Sequence, residues 1–169
     1  MQSFSIVHRE ALPHGLVVGV SLPPGNQPLS NDTMDRLLPK EREVLEGLQG
    51  HRRVQFAGGR IAAHAAMKTL GHTPTPLLID SWGAPVTARG LAVSITHKEK
   101  MAYALVARDR FGQIGVDYET IEPHRLNVAS RVLRPEELKQ VEALPEENRW
   151  VALLQRFSIK EAIYKALAP

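Results

Sequence analysis

Two apolar runs, LAVSIT (91–96) and MAYALVAR (101–108), are separated only by HKEK. A connection that short makes them an antiparallel hairpin, because a parallel pair needs a crossover of a dozen or more residues. A lone hairpin is marginal in water, so the rest of the chain must supply more strands and a covering layer. GLVVGVSL (15–22), bounded by PPGNQP, reads as one such strand, and PLLID (76–80) as another. SWGAPVTARG (81–90) reads as a loop. After the turn RDRFG, QIGVDYE (113–119) reads as a further strand.

Between these lie helical patterns. PKEREVLEGL opens at Pro39, and after a break at Gly50 and His51 a second run continues to Leu70, with Gly71 at the C-terminal cap position. Ile61, Ala62, Ala65, Ala66 and Leu70 recur at helical spacing and form a thin face able to pack closely on a sheet. Beyond Pro123 the chain reads as helical, with Pro135 in a first turn and a break near Pro145. The expected fold is therefore α/β, or α+β in looser naming. By element order it divides into similar halves, 1–111 and 112–169, the second lacking the closing strands of the first.

With no cysteine among 169 residues, disulfides, thiolate zinc sites and a cysteine nucleophile are excluded. The opening MQSFSIVHRE has no basic stretch leading into an apolar run, and no apolar stretch approaches the roughly 20 residues of a membrane span. A cytoplasmic protein with no membrane partner is expected. A net charge of +3 biases the surface mildly toward anions. Aromatic residues at 5% argue against a base-stacking platform, hence against nucleic acid, and favour a phosphate-bearing small molecule or an acidic protein surface.

The acids narrow the chemistry. Asp117 and Glu119 stand two apart on a strand and should project to one face, where like charges repel unless a cation intervenes. A strand end running into solvent would also tolerate them. Glu161 is less easily accommodated: counted at about 100° per residue from Trp150, it falls within the stripe of Leu154, Phe157 and Tyr164. An unpaired charge there is expensive, and a local pair with Lys165 contributes only a few tenths of a kcal/mol. Three carboxylates from a strand and a helix suit Mg²⁺ or Mn²⁺, which take oxygen ligands and complete their shell with water and phosphates.

IGVDYE followed by FSIKEAIYKAL, with Glu161 42 residues after Glu119, resembles the Sfp-type 4′-phosphopantetheinyl transferases. Their signature is G-(I/V)-D-x-E on a strand, then (W/F)-(S/T)-x-K-E-(A/S)-x-x-K on a helix. Gly115, Val116, Asp117 and Glu119 match the first part; Phe157, Ser158, Lys160, Glu161, Ala162 and Lys165 match the second. VSITHKEKMAYALVA is similar to the (N/S)-(I/L)-(S/T)-H segment of the family. FAGGRIAAHAAM is similar to the G-R-x-A-A-x-x-A helix of its enterobactin-synthetase-like branch. WGAP stands where the family has G-(K/R)-P, so Ala84 replaces a basic residue. The resemblance covers roughly residues 40–168.

The resemblance implies two α/β halves related by a pseudo-twofold, with a metal and coenzyme A in the cleft between them. It implies transfer of the phosphopantetheine arm of coenzyme A to a serine of an apo acyl or peptidyl carrier protein, releasing adenosine 3′,5′-bisphosphate. Asp117, Glu119 and Glu161 would hold Mg²⁺ against the pyrophosphate, and Lys165 would reach a phosphate oxygen. Glu119, Glu161 or a metal-bound water would take the serine proton. Lys160 would contact the incoming serine or be solvated. Arg53, Arg60 and His97, with Thr96 as a hydroxyl donor, are the candidates for the 3′-phosphate, surface charge being the alternative for either arginine. Family members continue for several strands past the K-E-x-x-x-K helix, which implies a fragment, strands from a second chain, or a reduced relative. A non-catalytic coenzyme A or carrier-binding module and a metal-dependent phosphohydrolase are the competing readings.

Overall fold

A computed structural model of the chain describes residues 4–25, 28–81, 83–87, 89–122 and 124–167. Its centre is a four-stranded antiparallel sheet, in the order β1 (Ile6–Leu12), β2 (Gly15–Ser21), β6 (Met101–Arg108), β5 (Leu91–Lys98). The HKEK hairpin forms as its length requires, pairing Lys98 with Met101 and Leu91 with Arg108. In β2 and β6, Leu16, Val18, Val20, Ala102, Ala104 and Val106 are buried, alternate residues that line one face of the pleat.

Onto that face packs α3 (Gly50–Thr69), preceded by α1 (Asn31–Asp35) and α2 (Pro39–Glu46). The small residues on α3 let it approach closely. A Cβ on Gly58 would lie 2.2 Å from Leu22 Cδ2, and one on Gly59 would lie 2.7 Å from Ile95 Cγ2. Ala57, Ile61, Ala62, Ala66 and Met67 complete this core. The break between α2 and α3 falls at residues 47–49, so Gly50 opens the second helix rather than interrupting it, and Gly71, at φ +80, follows its end as a cap glycine.

Three features depart from the sequence reading. β1 carries His8, Arg9 and Glu10 on an exposed edge, so its composition hides it. The described residues of 76–90 form a two-residue ladder, β3 (Leu78–Ile79) with β4 (Pro85–Val86), part of which lies in the segment read as loop. Residues 113–119 are not a ladder strand; the segment is held by side chains instead. Past it come α4 (Ala129–Val132), α5 (Pro135–Glu142) and α6 (Glu146–Leu167), which gather Leu133, Val141, Trp150, Ala152 and Leu153 into a second, smaller core. None of the described helices is long and apolar enough to cross a membrane.

Candidate functional site

β5 is a sheet edge, and its alternate side chains grip the segment that follows the sheet. Ser94 Oγ accepts from Val116 N at 3.1 Å, Thr96 Oγ1 donates to Asp117 Oδ1 at 3.1 Å, and Lys98 pairs with Glu119. Side chains two apart on β5 thus meet residues 116, 117 and 119 in order along the segment, fixing its register without a backbone ladder. The Tyr118 ring packs against Tyr103 at 4.8 Å between centroids. On the segment's other side lies α6. A Cβ on Gly115 would stand 1.8 Å from the carbonyl oxygen of Ala162, so only glycine lets the segment lie against that helix.

Lys165 closes the junction. Its ammonium donates to Asp117 Oδ1 at 2.7 Å and to the Val116 carbonyl at 3.1 Å. One turn earlier, half-buried Glu161 stands in the wall of a cavity of about 590 Å³ between the β5 edge, the β3–β4 hairpin and α6. Ser94, Ile114, Tyr164 and Lys165 line the same cavity. Asp117 and Glu119 do not.

The donor set suits a hard divalent cation in kind. All three acids offer oxygen, and Asp117 Oδ2 is buried with no hydrogen-bond partner. Among the described residues no three acids or histidines are grouped at metal-ligand spacing. Two of the three acids face lysines: Lys165 engages Asp117 and Lys98 engages Glu119, each supplying positive charge beside a pair of neighbouring carboxylates.

A second cavity, of about 340 Å³, adjoins the first and shares Gly83, Pro85 and Ile95 with it. Its wall is cationic, with Arg52, Arg60 and His97 beside Gln55 and Phe56. Arg60 is buried, lies 3.8 Å over the Phe56 ring, and donates from Nε to the Leu77 carbonyl at 3.1 Å. Burial brings its pKa down to about 10, partly offset by the charge of Glu41, so it remains a cation at neutral pH. Glu41, fully buried, accepts from Leu77 N at 2.9 Å and Leu38 N at 3.0 Å and lies 3.0 Å from His64 Nε2. The Leu77 peptide is thus clamped at both ends, by Glu41 and by Arg60. Desolvation, opposed by a backbone hydrogen bond and reinforced by repulsion from Lys165 and Arg60, lowers the pKa of His97.

Of the residues singled out from sequence, Arg60 and His97 meet at one cavity, and Glu161 and Lys165 at the other. Thr96 spends its hydroxyl proton on Asp117 instead of facing a ligand. Arg53 does not line the cationic cavity, whereas Arg52 does. Lys160 turns to the helices of the second core, away from both cavities. Sequence reasoning missed Arg52, Gln55 and Phe56, whose helical spacing to Arg60 was the available signal. It also missed Ser94 and Lys98, whose period of two with Thr96 was legible. Glu41 left no mark beyond its place in an acidic first turn.

Comparison with known proteins identifies the family. The model of the 4′-phosphopantetheinyl transferase N-terminal domain matches residues 40–107, and that of the 4′-phosphopantetheinyl transferase superfamily matches 113–169. The chain is 34% identical over 140 residues to 4′-phosphopantetheinyl transferase Npt of Nocardia iowensis, covering 78% of this chain and 59% of that protein. It is 33% identical over 143 residues to 4′-phosphopantetheinyl transferase Svp of Streptomyces mobaraensis, covering 82% of this chain and 57% of that protein. The chain thus spans somewhat under three-fifths of the length of these relatives. Matched on both sides of the β6 turn, the chain belongs to the 4′-phosphopantetheinyl transferase superfamily.

Proposed function

We propose that the chain transfers the 4′-phosphopantetheine arm of coenzyme A to a serine of an apo carrier protein, releasing adenosine 3′,5′-bisphosphate. The observation that carries this is the pair of joined cavities, one lined by Arg52, Arg60 and His97 and the other by Glu161 and Lys165. Coenzyme A has matching parts: a phosphorylated nucleoside at one end and a diphosphate linked to a long arm at the other. The names of the relatives point the same way.

In this reading Arg60 holds the nucleoside phosphate, with Arg52 and His97 in the wall of the same cavity. Phe56 and the Leu77 carbonyl keep Arg60 from swinging, so little side-chain freedom is lost on binding. Lys165 neutralises charge growing on the diphosphate as the serine oxygen attacks the β-phosphorus. Glu161 is better placed than Glu119 to take the serine proton, because it faces the cavity while Glu119 is engaged by Lys98. Asp117, Glu119 and Glu161 would hold Mg²⁺ or Mn²⁺, which when bound supplies electrostatic stabilisation of the diphosphate. A boundary at residues 111–112 separates the half carrying the cationic cavity from the half carrying these acids. The net charge of +3 suits an acidic carrier surface.

The test is an incubation of the chain with coenzyme A, Mg²⁺ and an apo carrier, read by the intact mass of the carrier. Gain of one phosphopantetheine per carrier supports the proposal. Binding of coenzyme A with no mass gain would favour a binding module, and phosphopantetheine released without a carrier would favour a phosphohydrolase.

A further inference from the structure

Lys160 belongs to the K-E-x-x-x-K motif and immediately precedes Glu161, yet its ammonium does not face the cleft. It donates to the Val132 carbonyl at 2.9 Å and pairs with Glu137. Val132 is the last residue of α4, where a helix leaves carbonyls without internal partners. Glu137 is the third residue of α5, and its carboxylate also accepts from Arg134 N at 2.8 Å, satisfying the N-cap amide of that helix. One ammonium therefore joins the end of α4 and the start of α5 to the middle of α6. One turn earlier Arg156 reaches the same side, donating to Gln140 Oε1 of α5 at 3.3 Å.

Successive residues on a helix are about 100° apart, so fixing Lys160 on one side fixes where the next residue points. We infer that Lys160 is a positioning residue: its bonds to Val132 and Glu137 set the rotation of α6 that presents Glu161 and Lys165 to the cleft. It touches no substrate. The catalytic consequence rests on the transferase reading above; the anchoring itself does not. Lys160 and Glu137 belong to one device, although Glu137 lines neither cavity.

The test compares Lys160→Met, Lys160→Arg, Glu137→Gln and the double variant Lys160→Met with Glu137→Gln. Glutamine at 137 can still accept from Arg134 N, so the capping of α5 is retained while the ion pair is lost. Transfer kinetics and amide hydrogen exchange of residues 157–165 are read together. Lys160→Met and Glu137→Gln should each lower kcat by roughly 10- to 100-fold, the effect of misplacing a reacting group by about an ångström. KM for coenzyme A should hold, since its cationic cavity is carried by α3 and β5. The double variant should be no worse than the poorer single, and Lys160→Arg should restore most of the rate. A loss in Lys160→Met with wild-type kinetics in Glu137→Gln would overturn the inference, because it would mean that Lys160 acts directly on substrate. Wild-type kinetics in both would overturn it too. Should the wild-type chain transfer nothing, the transferase reading fails and exchange decides alone. Faster exchange across 157–165 in Lys160→Met supports the anchor, and unchanged exchange overturns it.

Discussion

Lys165 Nζ lies 2.7 Å from Asp117 Oδ1, joining residues 48 positions apart in the chain. The bond makes one unit of two elements that share no backbone ladder, the extended segment after β6 and the helix α6. It also sets a cation and an acid side by side where the diphosphate of coenzyme A is proposed to lie.

Lys165→Met should separate the structural from the catalytic share of that pair. Asp117 is only 6% exposed in its side chain, so losing the ammonium leaves a buried carboxylate short of a donor. The expected loss is roughly 2 kcal/mol in a urea titration, within the range for hydrogen bonds to charged groups. Adding Asp117→Asn should recover part of the stability and none of the transfer activity.

Gly115→Ala tests the contact between the segment and the helix. The new methyl would meet the Ala162 carbonyl, a backbone atom that cannot rotate away, so α6 must shift. A loss of about 1–3 kcal/mol is expected by denaturant titration, with transfer falling alongside it. Unchanged stability would mean that the helix does not pack there in solution.

The buried Glu41 gives the stability a pH dependence. Burial pushes its carboxyl up, but the His64 ring and the Leu77 and Leu38 amides outweigh that and hold it below the ordinary 4.5. A lowered folded-state pKa contributes stability that is present above 4.5 and lost as pH falls through the folded value. Melting temperature should therefore drop as pH falls below 4.5, and Glu41→Gln should flatten that slope while lowering stability by about 2 kcal/mol. The same slope in both proteins would contradict this assignment.

Arg60→Lys keeps a charge but not the planar fork that lies over Phe56 while bonding the Leu77 carbonyl. KM for coenzyme A should rise about 10-fold with kcat nearly intact, the scale of one charge-assisted hydrogen bond. Dephospho-coenzyme A, which lacks the 3′-phosphate, should be used alike by both proteins. Steady-state kinetics with the two substrates check this.

What could be read from the sequence follows from where the information lies. The hairpin at 91–108 and the thin face of α3 were legible because period-two and period-3.6 patterns report burial directly. Strand β1 was not, since an exposed edge bearing His8, Arg9 and Glu10 leaves no apolar alternation. QIGVDYE has the composition of a strand but acts as a tether, because Ser94, Thr96 and Lys98 provide the partners a neighbouring strand would otherwise supply. Motif spacing singled out Glu161, Lys165 and Lys160 alike but gave no sign of the partners of Lys160, Val132 and Glu137, which lie 28 and 23 residues away. Long-range pairing of that kind leaves no local period to read.

Glu161, carried by α6, is proposed to act on a diphosphate ester in the cleft beside the Asp117 segment. The most direct test is the single-turnover rate of phosphopantetheine transfer by Glu161→Gln against the wild-type chain, with coenzyme A, Mg²⁺ and apo carrier saturating. A fall of at least about 100-fold with coenzyme A affinity retained is predicted, as for removal of one key electrostatic group. Transfer at the wild-type rate would contradict the account.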